Sequence, residues 1–221
     1  DVLGSRGLGD VYKRQVVPTE NTITLSNDGI VFEGTGAELS ADLKTITIAQ
    51  PGTYIVTGEM EEGQIVVDVD KTAYVDGLVE LSLEGMSISN TSTSPIYIAS
   101  VDDKCSISAK KGTVNTVSDG TSYTNADGGI GAVYAKDDIT FKGKGTLNVY
   151  GNCEDAIVCK NDIHINNGTL NVTAADDGIR GKDSVRIGDP LDTDFSSLNV
   201  TVNAKGGDGI KSTETDTASG K

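Results

Sequence analysis

Ala132-Val-Tyr-Ala-Lys-Asp-Asp-Ile139, Ala156-Ile-Val-Cys-Lys-Asn-Asp-Ile163 and Gly178-Ile-Arg-Gly-Lys-Asp-Ser-Val185 are three versions of one phrase, and their spacing decides the fold reading. Pro95-Ile-Tyr-Ile98 is an earlier version and Gly209-Ile-Lys-Ser212 opens a later one. The equivalent apolar residues Ile96, Val133, Ile157, Ile179 and Ile210 are separated by 37, 24, 22 and 31 positions. The unit is therefore about 22 residues, with insertions near 116–129 and 188–196. A second phrase keeps step with the first: Gly112-Thr-Val-Asn115, Gly145-Thr-Leu-Asn148 and Gly168-Thr-Leu-Asn171, with Ser197-Leu-Asn-Val200 as a weaker copy.

Short β-branched strands recurring at this period, separated by Asp and Gly turns, predict a β-solenoid. The rival leucine-rich repeat lacks its Leu spacing and its helical segment. Parallel crossovers are right-handed, so the expectation is an all-β right-handed parallel β-helix. Upstream, Ile46-Thr-Ile-Ala49, Tyr54-Ile-Val-Thr57, Gln64-Ile-Val-Val-Asp-Val69 and Leu78-Val-Glu-Leu-Ser-Leu83 read as successive short strands. The expected organisation is an N-terminal β region over 16–93, read as short cap strands or as the first coils, and repeating coils over 94–221, with the repeat array cut off near Lys221. Residues 1–15 share none of this periodicity and resemble a translated sequencing adapter, so they are set aside as a non-native segment.

The chain carries 18 basic and 33 acidic residues, a net charge of −15, with 27 Gly and no Trp. Such a surface argues against nucleic acid, which needs basic groups. No apolar run is long enough for a transmembrane helix. The acid is unevenly typed: 16–100 holds 5 Asp and 8 Glu against Lys44 and Lys71, whereas 101–221 holds 16 Asp and 2 Glu against 11 Lys and 2 Arg. The Asp bias therefore belongs to the turns of the repeats.

Stacking equivalent residues about 4.8 Å apart turns repeats into columns. Alternation sends Leu170 and Val172 inward and Thr169, Asn171 and Thr173 outward. Asn148, Asn171 and Asn199 are then expected to form one outward column. It reads either as a polysaccharide-binding strip of hydroxyls and amides or as an amide ladder that holds the stack together. Asp155, Asp177 and Asp208, with Asp176 and Asp127 nearby, form a second column of like charges. Calcium bridging these carboxylates is one solution; neutralisation by Lys136, Lys160 and Lys182 is the other. The third column, Tyr97, Tyr134, Val158, Arg180 and Lys211, is expected to face outward. There Tyr rings would stack on sugars, with Arg180 and Lys211 pairing with uronates, or the column is ordinary solvated surface. Cys105 and Cys159 read as core residues and His164 as outward, which leaves no histidine-based hydrolase constellation.

Ile46-Thr-Ile-Ala-Gln-Pro-Gly-Thr-Tyr-Ile-Val-Thr-Gly58, Gln64-Ile-Val-Val67, Ser94-Pro-Ile-Tyr-Ile98 and the Asp-Gly-Ile turns at 177–179 and 208–210 together resemble a bacterial family, the secreted carbohydrate-binding domain proteins of cellulolytic and gut-type bacteria. The resemblance implies a right-handed parallel β-helix similar to pectate lyases, bound Ca2+, and a plant cell-wall-type polysaccharide partner, cellulose or pectin-like acidic glycan. It also implies an extracellular or cell-surface location. The function expected is a non-catalytic polysaccharide-binding module. The alternatives are a calcium-dependent polysaccharide lyase, for which Arg180 and Lys182 have the right chemical types, and a structural or adhesive surface protein.

Overall fold

The computed structural model describes residues 20–123, 130–189, 191 and 194–214; the segment 1–15 and Asp127 lie outside them. The described residues form twenty strands. In the first region they are β1 (Asn21–Leu25), β2 (Val31–Glu33), β3 (Ala37–Leu39), β4 (Thr45–Ile48), β5 (Gly52–Met60), β6 (Gln64–Asp68) and β7 (Leu78–Asn90). The repeats then supply triplets: β8 (Ile96–Ser100), β9 (Lys104–Ala109) and β10 (Val114–Asp119); β11 (Val133–Ala135), β12 (Ile139–Gly143) and β13 (Thr146–Gly151); β14 (Ile157–Cys159), β15 (Asp162–Ile165) and β16 (Gly168–Ala174). The last triplet is β17 (Ile179–Gly181), β18 (Ser184–Ile187) and β19 (Leu198–Ala204), followed by β20 (Ile210–Ser212). No helix among the described residues is long and apolar enough to cross a membrane.

These strands form two sheets. A twelve-stranded sheet runs β18-β15-β12-β9-β7-β10-β13-β16-β19, with β5, β1 and β2 added beyond β7. An eight-stranded sheet runs β20-β17-β14-β11-β8-β6-β4-β3. All pairings are parallel except β1 with β2 and β3 with β4. The joint is β7, thirteen residues long. Its first half pairs with β9 and its second half with β10, while β5 runs alongside both halves. Gly85, at φ +82°, lies between the two halves and lets the strand bend without breaking.

This corrects the expectation of a right-handed parallel β-helix with a separate cap. Repeat strands do pair in parallel at the expected spacing. They belong, however, to a curled half-barrel sheet and a second sheet, because the unbroken β7 joins two ranks of strands that a solenoid would keep as separate faces. Nor is the first region a cap, since its strands enter both sheets.

The inward columns make the core. Ile46, Ile65, Ile96, Val133, Ile157 and Ile179 stack through the smaller sheet and are all fully buried. Removing any one large aliphatic from such a stack costs about 2–5 kcal/mol.

One inward position is polar. The tetrapeptide match would place Asn115 beside Asn148, yet the register sets Asn115 against Leu147 and Thr116 against Asn148. That one-residue slip turns Asn115 into the core. There its Oδ1 accepts from the amides of Gly85 (2.8 Å) and Met86 (3.0 Å), and its Nδ2 donates to the carbonyl of Thr146 (3.1 Å). Asn115 thus satisfies the backbone at the bend of β7. Asn115→Ala is expected to destabilise the protein by about 1–3 kcal/mol, the cost of unpaired buried amides, and urea unfolding measures it. A change below about 0.5 kcal/mol would remove Asn115 from this role.

Candidate functional site

Three surfaces carry the residues singled out from the sequence. The first is the outward face of β10, β13, β16 and β19. Alternating burial along these strands directs three side chains per strand to solvent. The columns are Val114, Thr146, Thr169 and Asn199; Thr116, Asn148, Asn171 and Thr201; and Ser118, Tyr150, Thr173 and Asn203. None is charged, on a protein of net charge −15. Asn171 Nδ2 donates to Asn148 Oδ1 at 3.0 Å, so the amide ladder exists, but only as one rung. Asn199 is not part of it, because the pairing is shifted by two residues and sets Asn199 against Thr169. A two-residue shift keeps the face, so Asn199 still belongs to this strip. Tyr150, 41% exposed, stands in its midst. The expected strip of hydroxyls and amides is formed, although its aromatic group was not among the residues selected as sugar contacts.

The second surface is the acidic turn column. Asp155, Asp176 and Asp177 bring one carboxylate oxygen each within 4.8 Å of one another. Asp155 and Asp177 are buried, while Asp176 and Asp208 are exposed. Each buried carboxylate caps the next turn: Asp155 accepts from the amide of Asp177 (3.0 Å) and Asp177 from that of Asp208 (2.8 Å). Each also takes a cation from a later repeat. Arg180 donates from Nε to Asp155 at 2.7 Å and from its terminal nitrogen to the same oxygen, and Lys211 reaches Asp177 at 2.5 Å.

The neutralising cations are therefore Arg180 and Lys211. The Lys column expected for this task points elsewhere: Lys136 and Lys160 lie over the rings of Tyr97 and Tyr134, at 5.5 and 5.9 Å from the centroids, and Lys182 sits 3.6 Å from Asp183. Arg180 and Lys211 are correspondingly not free to receive uronates. Four carboxylates against two cations leave the column at −2.

The third surface is the outward column of the smaller sheet. Tyr97, Tyr134, Val158, Arg180 and Lys211 are in register as expected. Their exposure is not as expected: Tyr134 is 8% exposed and Val158 1%. Gly131, just before β11, approaches so closely that a Cβ there would lie 3.1 Å from Val158 Cγ2, and it shields that residue. Tyr97 stacks on Tyr134 with centroids 5.6 Å apart and remains open on its other side, where it lines a cavity of about 490 Å³. Elsewhere, His164 Nδ1 lies 3.0 Å from Arg186, and burial together with that guanidinium lowers its pKa.

The comparisons with known proteins fit this geometry. Residues 42–221 match the family model described as carbohydrate-binding domain-containing protein. A protein of that description from Acetivibrio thermocellus is 33% identical over 156 residues, 69% of this chain. The chain spans about half of that relative's length, 52%. Among solved structures, the polysaccharide lyase-like protein from C. thermocellum, in its gadolinium derivative, aligns with a TM-score of 0.66 at 23% identity, covering 88% of this chain and 92% of its own. Likeness at that identity concerns the fold.

The ion-pair column fixes a pH dependence. Burial acts against the charge of Asp177, but Lys211, the Asp208 amide and Arg180 outweigh it and hold the pKa below the ordinary 3.8. The folded state thus binds its proton less readily than the unfolded chain. The stabilisation is complete above the ordinary value and is lost as pH falls through the lowered one. Asp177→Asn is expected to lower the thermal midpoint at pH 7 and to flatten its decline in acid; parallel wild-type and variant curves between pH 6 and pH 2 would contradict the assignment.

Proposed function

The chain belongs to the family of carbohydrate-binding domain-containing proteins, and from that premise we propose that it is a non-catalytic polysaccharide-binding module whose contact surface is the uncharged strip on β10, β13, β16 and β19. One observation carries the reading. On a strongly acidic protein, four adjacent strands present only hydroxyls, amides, Val114 and Tyr150, with Asn148 and Asn171 in register. The strand spacing of about 4.8 Å is close to the length of one pyranose unit along a β-linked chain. Successive sugars laid across the strands therefore meet the same donor and acceptor set, and Tyr150 offers a ring face. A neutral, cellulose-type polymer suits this surface. An acidic glycan finds no free cation in the predicted column, because Arg180 and Lys211 are held by Asp155 and Asp177. The same engagement withholds Arg180 from the proton abstraction that a lyase requires.

Retention on microcrystalline cellulose tests the strip. Tyr150→Ala is expected to weaken retention about threefold to tenfold, the worth of one aromatic contact, and Asn171→Asp to weaken it further by placing charge on the face. His164→Ala, on a different rank of strands, should leave it unchanged. Equal retention of wild type and Tyr150→Ala would sink the proposal.

Calcium belongs to the same reading as a stabiliser. Asp155, Asp176 and Asp177 are hard oxygen donors of the kind calcium takes, and their carboxylates keep lone pairs beyond those engaged by Arg180 and Lys211. The residual −2 of the column is the charge one dication balances. The melting temperature is expected to rise with calcium relative to chelator, and Asp176→Asn to shrink the difference. Coincident wild-type melts would exclude calcium from this column.

A further inference from the structure

We infer that the cavity beside Tyr97 is a second carbohydrate site, distinct from the uncharged strip, which takes a short neutral oligosaccharide or the end of a neutral chain. Its floor is the outward face of the smaller sheet, at Thr45, Gln64, Val66 and Tyr97, and its walls are the turns carrying Asp42, Lys44 and Glu62 and the end of β7 at Asn90. At about 490 Å³ it falls within the range of ordinary small-molecule pockets, enough for about two pyranose units.

Two features favour a ligand there, the held Tyr97 ring and the strained turns, and Lys44 adds donors at the rim. The Tyr97 ring is held in advance by Tyr134 stacked at 5.6 Å and Lys136 at 5.5 Å, so little side-chain entropy is lost when a sugar packs on it. Lys44 is exposed and makes no ion pair or hydrogen bond through its ammonium among the described residues, as is true of Lys111, Lys144 and Lys205, so its donors are available to a ligand. The backbone around the cavity is also strained. Of the three non-glycine residues at positive φ among the described residues, Glu62 (59°) lines the wall and Leu43 (58°) lies between the two lining residues Asp42 and Lys44. Such conformations cost about 1–3 kcal/mol each and concentrate at binding sites.

The polar groups select the ligand class. Asp42 and Glu62 each hold a local hydroxyl, Ser40 at 2.6 Å and Thr91 at 2.7 Å, and retain lone pairs facing sugar hydroxyl donors. Lys44 supplies donors for hydroxyl or ring oxygens. Two carboxylates against one ammonium give the lining a net negative charge, so a uronate would meet more repulsion than pairing.

The test is calorimetric titration of the whole chain with cellotriose and with trigalacturonate, read on wild type, Tyr97→Ala, Tyr97→Phe, Glu62→Gln and Tyr150→Ala. Cellotriose is expected to bind wild type, to weaken at least tenfold in Tyr97→Ala and several-fold in Glu62→Gln, and to be retained by Tyr97→Phe. Tyr150→Ala should keep the Tyr97-dependent cellotriose affinity while its cellulose retention weakens about threefold to tenfold, which separates this site from the strip. Absence of cellotriose binding, an unchanged affinity in Glu62→Gln, or trigalacturonate binding as tightly as cellotriose would overturn the inference. The Glu62→Gln arm decides should Tyr97→Ala fail to fold.

Discussion

Parallel in-register pairing of repeated strands is the constraint from which the rest of this structure follows. It places like residues one strand spacing apart, a spacing that is favourable for aliphatic side chains turned inward and demanding for charged ones. The inward consequence is the stack of Ile46, Ile65, Ile96, Val133, Ile157 and Ile179, with none of these side chains left to solvent. Outward, the same geometry yields three chemically different surfaces, because each column inherits whatever residue type its repeat position carries.

The acidic column shows how a repeat resolves its own repulsion. In Asp177-Gly-Ile-Arg180 and Asp208-Gly-Ile-Lys211 the cation lies three residues after the acid, but its closest partner is the acid of the preceding repeat. The buried carboxylates thereby tie adjacent repeats through side chain and backbone together. Breaking such a pair strands a charge, which costs more than the pair itself contributes. The uncharged strip needs no such device and keeps its amides and hydroxyls for solvent or ligand. A protein that keeps the outward face of four adjacent strands free of charge can thus be strongly anionic and still present a surface suited to a neutral polymer.

Much of this was legible in the repeats. The inward stack, the register of Tyr97 with Tyr134 and of Arg180 with Lys211, and the outward direction of Asn148 and Asn171 all follow from period and alternation. Asn115 was misplaced because a tetrapeptide match cannot reveal a one-residue slip, and a slip of one reverses the face. Asn199 was misaligned by two, which left it on the right face in the wrong column. Tyr134 and Val158 are less exposed than alternation implies, because Tyr97 stacks on the first and Gly131 packs against the second, and neither contact is visible in the period. Tyr150 stood in the outward column by alternation alone, and the absence of charged neighbours on all four strands was the signal that marks it.

By itself, the sequence determined an all-β chain of parallel strands at about 22-residue intervals, its aliphatic core and the chemical identity of each column, because these depend on local periodicity and on the fixed alternation of side chains along a strand. Only the tertiary structure decided that β7 joins two ranks into one curled sheet, that Arg180 and Lys211 are held by carboxylates, and that Asp42, Lys44, Glu62, Asn90, Ser92 and Thr93 line a cavity beside Tyr97. Those outcomes depend on bends, register and the path of turns between strands distant in sequence, and none of these is set by the residues of a single repeat.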